Sequence, residues 1–135
     1  MLKESKKKGK WKPTGAEEYW FRDIDGGYNY CNRYEGDEWD DWRVSNMPIF
    51  PTREECERYW HFMDTVKEKS YEFTDKDWED YSIKKYIICY TPYQKKMFVD
   101  ELYATKVLGE IYFKTEADAQ YIIDNFKDEL MEFWL

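Results

Sequence analysis

The stretch IFPTREECERYWHFM, residues 49–63, predicts the end of a β-strand followed by a capped amphipathic helix. Thr52 is a favourable N-cap, and Glu55 three residues later completes a capping box, which together stabilise a helix by about 1 kcal/mol. The apolar residues that follow recur at i, i+3, i+4 and i+7, so they share one face of the helix. This strand-to-helix pattern decides the fold because the chain repeats it.

The second copy of the pattern is IYFKTEADAQYIIDNF, residues 111–126. Thr115 takes the place of Thr52 as the helix cap, and each apolar position of the first helix has an apolar counterpart in the second. The paired positions are Cys56 with Ala119, Tyr59 with Ile122, Trp60 with Ile123, and Met63 with Phe126. Both helices are therefore predicted to bury one stripe against a sheet.

Short β-favouring segments precede each copy. Aromatic residues 19–21 lead into an Asp/Gly turn in DIDGGY, 23–28, and YIICY, 86–90, leads into a turn at TPYQ, 91–94. We therefore predict an α+β fold of two tandem antiparallel ββ(β)α units with approximate internal two-fold symmetry. The predicted boundaries are a basic tail over 1–10, a first repeat over 11–70 and a second repeat over 71–135, with both repeats in one globular domain.

Aromatic side chains are expected on both faces of the predicted strands, at 19–21 and at 86–90. One face can pack on the helix of its own unit, and the other needs a partner. The partner is the second unit, another copy of the chain in a homodimer, or a ligand, and the sequence leaves these three alternatives open.

The composition is that of a folded protein with an acidic body. Apolar residues make up 42% of the chain and aromatic residues 21%, so core material is ample despite a net charge of −8. Residues 1–12 hold six Lys and one Glu, so the rest of the chain has 15 basic and 28 acidic residues, a net charge of −13. Such a body repels nucleic-acid phosphates and attracts basic protein surfaces. The Lys-rich start is either a solvated tail or an arm that touches nucleic acid or an acidic partner.

The sequence predicts a cytoplasmic protein without a membrane partner. No apolar run approaches the roughly 20 residues of a membrane span, and residues 1–10 lack the apolar stretch of a secretory signal. Cys31, Cys56 and Cys89 are too few and too widely spaced for a disulfide framework or a zinc site. We expect Cys56 and Cys89 to be buried core residues rather than reactive thiols.

Residues suited to catalysis are scarce. His61 is the only histidine, and we expect it at the edge of the first helix rather than in the role of a general base. The chain contains no nucleophile elbow, zinc-protease motif, phosphate-binding loop or dinucleotide-binding glycine pattern. We therefore predict a protein that is not an enzyme, with no catalytic residue, no cofactor and no metal.

Two clusters of acidic and aromatic residues are the candidate partner-binding sites. The first is GDEWDDW, 36–42, predicted to be a loop, and the second lies in YEFTDKDWEDYS, 71–82, which joins the two units. The first could be a Mg²⁺ or Ca²⁺ site, a solvated loop with its tryptophans folded inward, or a contact surface for a basic partner. A regular calcium-binding loop is missing, which disfavours the metal. The candidate residues are Asp37, Glu38, Trp39, Asp40, Asp41, Trp42, Asp75, Asp77, Glu79 and Asp80.

Three segments of the chain carry a resemblance: WKPTGAEEYWF at 11–21, NMPIFPTREECE at 46–57 and GEIYFKTEADAQYII at 109–123. In these segments the chain resembles a loosely defined set of small proteins encoded by phages and integrative elements of Gram-positive bacteria. It departs from them before the first helix, where they have Gly-Asn and this chain has Ser45 and Asn46. The resemblance implies an accessory protein of a phage or mobile element that acts inside a bacterial cell, of the anti-CRISPR or another anti-defence type.

From these observations we expect a non-enzymatic inhibitor that binds a basic, nucleic-acid-binding protein of a host defence system in a fixed stoichiometry, without contacting nucleic acid through its folded body. The alternative is a binding module that sequesters a small nucleotide signal between stacked aromatic residues. Such a module needs cationic donors for phosphate. The candidates for that role are Lys84, Lys85, Lys95 and Lys96.

Overall fold

The computed structural model describes residues 11–23, 29–107 and 109–135. The basic tail over 1–10 and the centre of the predicted Asp/Gly turn, 24–28, lie outside these residues. The elements are β1 (Glu18–Arg22), β2 (Asn29–Arg33), α1 (Glu38–Asn46), α2 (Arg53–Lys69), α3 (Asp75–Glu79), β3 (Lys85–Thr91), β4 (Lys96–Leu102), α4 (Glu116–Asn125), α5 (Lys127–Glu129) and a π-helical turn (Leu130–Trp134). The predicted α+β class is confirmed.

The chain divides into two compact units, each described here by itself. Unit 1 comprises Met1–Phe62 and Met131–Leu135, and unit 2 comprises Met63–Leu130. Antiparallel pairing joins β1 to β2 in unit 1 and β3 to β4 in unit 2. The boundary between the units falls within α2, whereas the sequence places the boundary between the repeats at residues 70 and 71.

The strand predicted before each capped helix is a single bridge residue. In unit 1 the amide of Phe50 donates to the carbonyl of Trp20 at 2.9 Å, and the amide of Trp20 donates back at 2.7 Å. In unit 2 Phe113 and Tyr86 exchange the same two bonds at 2.9 and 3.1 Å. Each bridge joins the phenylalanine two positions before a capping threonine to the first strand of its unit's sheet.

The threonine caps and the apolar stripes are where the sequence predicts them, but the capping box predicted at Glu55 is not completed, because its carboxylate accepts no hydrogen bond from a described residue. Oγ1 of Thr52 accepts a hydrogen bond from the amide of Glu55 at 3.2 Å, and Oγ1 of Thr115 accepts one from the amide of Asp118 at 3.1 Å. Each bond satisfies one of the free N–H groups in the first turn of its helix. The predicted stripe residues that are buried are Cys56, Ala119, Ile122, Ile123 and Phe126, and those that are half-buried are Tyr59, Trp60 and Met63.

Aromatic rings fill the core of unit 1. Tyr59 and Phe62 of α2 contact Phe133 and Trp134 of the π-helical turn, with the Tyr59 and Phe133 centroids 4.9 Å apart and those of Phe62 and Trp134 5.2 Å apart. Edge-to-face pairs of this kind contribute about 0.5–1.5 kcal/mol each beyond the area that they bury. The π-helical turn therefore belongs to the core of unit 1.

The core of unit 2 is built on its two-stranded sheet. The rings of Phe73, Trp78 and Tyr112 are buried together, and Trp78 lies edge-on to Tyr112 with a centroid distance of 4.9 Å. The hydroxyl of Tyr112 also donates to the carbonyl of Val107 at 2.5 Å and accepts from its amide at 2.7 Å. Phe73 and Trp78, the two buried aromatic residues of segment 71–82, therefore pack within unit 2.

A fully buried lysine closes one end of this core. Lys85, the first residue of β3, has no solvent exposure, and its ammonium group donates to the carbonyls of Tyr103 at 2.6 Å and Asp80 at 3.1 Å. The same group lies 5.0 Å from the centre of the Trp78 ring. Because a buried cation is costly unless its hydrogen bonds are made, these contacts fix the loops after α3 and β4 against β3.

Replacing Lys85 by Met keeps an unbranched side chain but removes the donor to the carbonyl of Tyr103 and one of the two donors to the carbonyl of Asp80, which keeps the amide of Ile83 at 3.2 Å. We expect Lys85→Met to lower the free energy of unfolding by about 2 kcal/mol, measured by chemical denaturation followed by tryptophan fluorescence. Lys84→Met is the matched control, because Lys84 is half-exposed and faces Glu101 at 3.8 Å. It should cost less than about 0.5 kcal/mol. Equal stability of the two variants would contradict this account of Lys85.

Candidate partner-binding surface

The acidic segment GDEWDDW forms a helix, not the loop that the sequence predicts. Asp37 is the N-cap of α1, and its Oδ1 accepts the amide of Asp40 at 2.8 Å. The helix places Glu38 and Asp41 in its first turn, where carboxylates are favoured by the helix dipole. Three of the predicted carboxylates therefore stabilise the helix that carries them.

One carboxylate of this helix points into unit 1. Asp40 is 1% exposed. Its Oδ1 accepts hydrogen bonds from the hydroxyl of Tyr19 at 2.5 Å and from the side-chain amide, Nδ2, of Asn32 at 3.1 Å. Its Oδ2 accepts the backbone N–H of Glu35 at 2.8 Å. These bonds join α1 to both strands of the β1–β2 sheet and to the loop before the helix.

Arg43, one turn along α1, completes this polar network. Its guanidinium donates to the hydroxyl of Tyr19 at 3.1 Å, lies 3.8 Å from Oδ1 of Asp40 and is 4.7 Å from the centre of the Phe21 ring. Asp40 and Arg43 lie at i and i+3, so they share the inner face of the helix. The network therefore holds α1 by charge and hydrogen bonds rather than by an apolar stripe.

The electrostatics of the network keep Asp40 ionised and Tyr19 protonated. Burial acts to raise the pKa of Asp40, but the hydrogen bonds from Tyr19 and the backbone, with the charge of Arg43, outweigh it and hold that pKa below its usual value. Burial and the bond to Asp40 raise the pKa of Tyr19. At neutral pH the Tyr19 hydroxyl therefore keeps the proton that it donates, and the ionised Asp40 carboxylate accepts it as a hydrogen bond.

The outer face of α1 presents tryptophan and carboxylates to solvent. Trp39 is 69% exposed and Trp42 is 46% exposed, so the tryptophans do not fold inward. Trp39 and Trp42 form one i, i+3 row and Glu38 and Asp41 form the adjacent one, since residues three apart are neighbours on a helix surface. We call these four residues, with Asp37, the α1 face. An exposed aromatic beside carboxylates is suited to a basic protein surface.

Two of the four carboxylates of the second predicted cluster are occupied by local hydrogen bonds. Oδ2 of Asp77 accepts the amide of Thr74 at 2.9 Å in the capping box of α3, and Oδ1 of Asp80 accepts the amide and hydroxyl of Ser82 at 2.9 and 2.6 Å. Asp75 and Glu79 are exposed. Trp78, the tryptophan of this cluster, is buried. The cluster therefore lacks the exposed tryptophan that marks the α1 face.

The remaining candidates for reactive chemistry are not poised for it. Burial raises the pKa of Cys56 to about 11, and burial together with the Glu18 carboxylate raises that of the exposed Cys31. Cys89 is half-buried, and burial raises its pKa as well. His61 is exposed on α2. Across 11–23, 29–107 and 109–135, no three Cys, His, Asp or Glu side chains come together where they could hold a metal ion.

The lysines considered as phosphate donors do not act as a group. Lys85 is buried and its ammonium group is occupied by two carbonyls, so it is not available to a ligand. Lys84 faces Glu101, and of these four lysines Lys95 and Lys96, at the β3–β4 turn, are exposed and form no ion pair with a described residue. The structure therefore removes one of the four donors that the nucleotide-binding alternative needs.

A cleft in unit 1 was not found by sequence reasoning. It has a volume of about 620 Å³ and lies between the C-terminal end of α1, the first turns of α2 and the π-helical turn. Its lining includes Trp11, Phe50, Glu55, Tyr59, Glu132 and Phe133. These residues are distributed from one end of the sequence to the other, so no local sequence pattern predicts the cleft.

Comparison of the chain with known protein families, with curated proteins and with solved structures finds no match. None of the helices in the described ranges combines the length and the apolar character needed to cross a membrane. The two surfaces of unit 1 with a geometry suited to binding are the α1 face and the cleft.

The Asp40 network predicts a large effect for a nearly isosteric change. Asp40→Asn keeps the shape but removes the charge that Tyr19 and Arg43 surround, and we expect a loss of about 2 kcal/mol in the free energy of unfolding. Asp41→Asn is the control, because Asp41 is exposed and, among the residues that the structure describes, its side chain accepts only the hydroxyl of Tyr34, at 2.7 Å. The network would be refuted as the anchor of α1 if both variants were equally stable.

The same network predicts a dependence of stability on acid. Because the pKa of Asp40 is lower in the folded protein than in the unfolded chain, its stabilisation is fully present above the unfolded value of about 3.9. That stabilisation is lost as the pH falls through the folded value. Denaturation curves between about pH 5 and pH 2 should therefore show a steeper loss for the wild type than for Asp40→Asn. Parallel curves would show that Asp40 does not titrate as described.

Proposed function

We propose that the protein is a non-enzymatic binding protein that docks the α1 face on a basic surface of a partner protein. The observation that carries this proposal is Trp39, an indole 69% exposed on a helix that the buried Asp40 of the next position holds in place. A large aromatic side chain held on a rigid element, with the exposed carboxylates of Glu38 and Asp41 on the same helix, is suited to the centre of a binding hot spot. The charges orient the partner, and the indole supplies the affinity.

The acidic body supports a partner that ordinarily binds nucleic acid. The chain outside residues 1–12 has a net charge of −13, which repels phosphates and is complementary to a basic groove. With the bacterial and phage context that the sequence resemblance implies, the partner that we propose is a nucleic-acid-binding protein of a host defence system, blocked in the cytoplasm as anti-CRISPR proteins block theirs. The inhibition is stoichiometric because it needs only occupation of the groove.

We also propose that the chain contains a duplicated ββα pattern to which α1 has been added. The bridges Trp20–Phe50 and Tyr86–Phe113 and the caps Thr52 and Thr115 support a common pattern. No helix is described between β4 and α4, in the segment that corresponds to the one containing α1. Functional residues concentrate in loops and their insertions, which supports a binding surface on the element that distinguishes the two copies.

The test is affinity capture from a bacterial host lysate, with the captured protein identified by mass spectrometry and then purified. We expect a basic partner whose affinity falls about 30-fold with Trp39→Ala, as for a hot-spot residue worth about 2 kcal/mol. Tyr93→Ala is the matched control, because Tyr93 is an aromatic residue 97% exposed in unit 2. It should leave the affinity unchanged.

Salt and competition measurements complete the test. Binding should weaken as ionic strength rises from 0.05 to 0.5 M, values on the order of those over which exposed charges become screened. One equivalent of the protein should release nucleic acid from the purified partner. Capture of no basic protein, equal affinity of Trp39→Ala and wild type, or affinity insensitive to salt would each refute the proposal.

A further inference from the structure

The cleft in unit 1 has walls of aromatic rings. Phe50 and Tyr59 are 5.1 Å apart between centroids, and Phe133 lies edge-on to Tyr59 at 4.9 Å, so the three rings support one another. Trp11 adds a fourth aromatic side to the lining. The cleft's volume of about 620 Å³ lies within the range of roughly 300–1,000 Å³ that is typical of small-molecule sites.

The charges at the cleft are of one sign. Glu55 and Glu132 are the ionisable residues of the lining, and no Lys or Arg belongs to it within the described ranges. Glu132 is paired with Arg58, whose guanidinium also lies 5.3 Å from the centre of the Phe133 ring. The carboxylate of Glu55 forms no ion pair or hydrogen bond with any residue that the structure describes, and neither does the hydroxyl of Tyr59.

We infer that this cleft binds a small organic cation, a guanidinium or quaternary ammonium group carried on an apolar stem. The faces of aromatic rings attract a cation, and Glu55 supplies the opposite charge that the cleft leaves uncompensated. Within the protein itself, the guanidinium of Arg58 lies over one of these rings, Phe133, while it pairs with Glu132. A neutral apolar molecule would leave Glu55 facing an uncharged group, and an anion would be repelled.

This inference does not depend on the partner-binding function of the α1 face. The proposed hot spot, Trp39, is not part of the cleft lining, and Glu55 and Tyr59 belong to α2. A negative result for the cleft would leave partner capture by Trp39 untouched, and a failed capture would leave the cleft untouched. The two experiments therefore fail separately.

The experiment is a residue-resolved NMR titration of the full chain with two pairs of probes. Nα-acetyl-arginine amide is compared with Nα-acetyl-citrulline amide, which has nearly the same shape without the charge. Choline is compared with 3,3-dimethyl-1-butanol on the same principle, and the two pairs distinguish a guanidinium site from a quaternary ammonium site. We expect amide shifts at the cleft residues, and at least one cation bound about tenfold more tightly than its neutral counterpart.

Two variants connect the preference to named residues. Glu55→Gln should remove most of the preference for the cation, whereas Glu54→Gln, an exposed neighbour outside the cleft, should keep it. Trp11→Leu removes one aromatic face while keeping an apolar wall, and should weaken the cation at least threefold, an order-of-magnitude expectation for one cation–π contact.

Three results would overturn the inference. They are equal binding of charged and neutral probes, no binding of either cation at any concentration used, and an unchanged preference in Glu55→Gln. Spectra of each variant without probe serve as the check of folding, and a Glu55→Gln spectrum that matches the wild type outside the cleft makes the comparison valid.

Discussion

The hydrogen bond between the Tyr19 hydroxyl and the buried Asp40 carboxylate is the contact on which the placement of α1, and with it the α1 face, depends. A nine-residue helix without an apolar stripe is unstable alone, because nucleation is unfavourable and isolated helices need about 12–15 residues. Burying a carboxylate is also costly, so the side chain of Asp40 stays inside only while its hydrogen-bond donors surround it. Helix and network therefore form together, and the exposed tryptophans are a consequence of where Asp40 points.

The carboxylates of this acidic chain have different tasks that their sequence does not distinguish. Asp37 and Asp77 cap helices, Asp40 is a buried anchor, and Asp80 closes a turn. Glu38 remains exposed on the α1 face. A composition with a surplus of acids thus overstates the charge that is free to meet a partner. What distinguishes the α1 face is the exposed indole beside the acids, rather than the number of acids.

The local features of the fold could be predicted and the non-local ones could not. Thr52 and Thr115 accept hydrogen bonds from backbone amides three residues away, so the sequence alone is enough to predict that they cap their helices. By contrast, α1 has no apolar period to reveal it, and its anchor joins residues 19 and 40, which only the folded chain brings together. One of the three alternatives that the sequence leaves open for this segment folds its tryptophans inward, but the inner face of α1 is occupied by Asp40 and Arg43.

The same difference between local and non-local features explains why the sequence predicted the α1 face as a site but did not predict the cleft. The α1 face is contiguous in sequence, so its residues were predicted as a site although its helix was not. The cleft joins Trp11, Glu55 and Phe133, which no motif connects, and only the packing of the π-helical turn against α2 makes it a cavity. Likewise Lys85 stands in the sequence as one more lysine, and its burial follows from the carbonyls that surround it.

Amide hydrogen exchange of the wild-type protein at neutral pH tests the central claim most directly. If Asp40 anchors α1 to the β1–β2 sheet, the amides of α1 and the amide of Glu35 should exchange as slowly as those of β1 and β2, because they open only when the sheet opens. Exchange of α1 at the rate of an unstructured peptide, with the sheet still protected, would contradict the account.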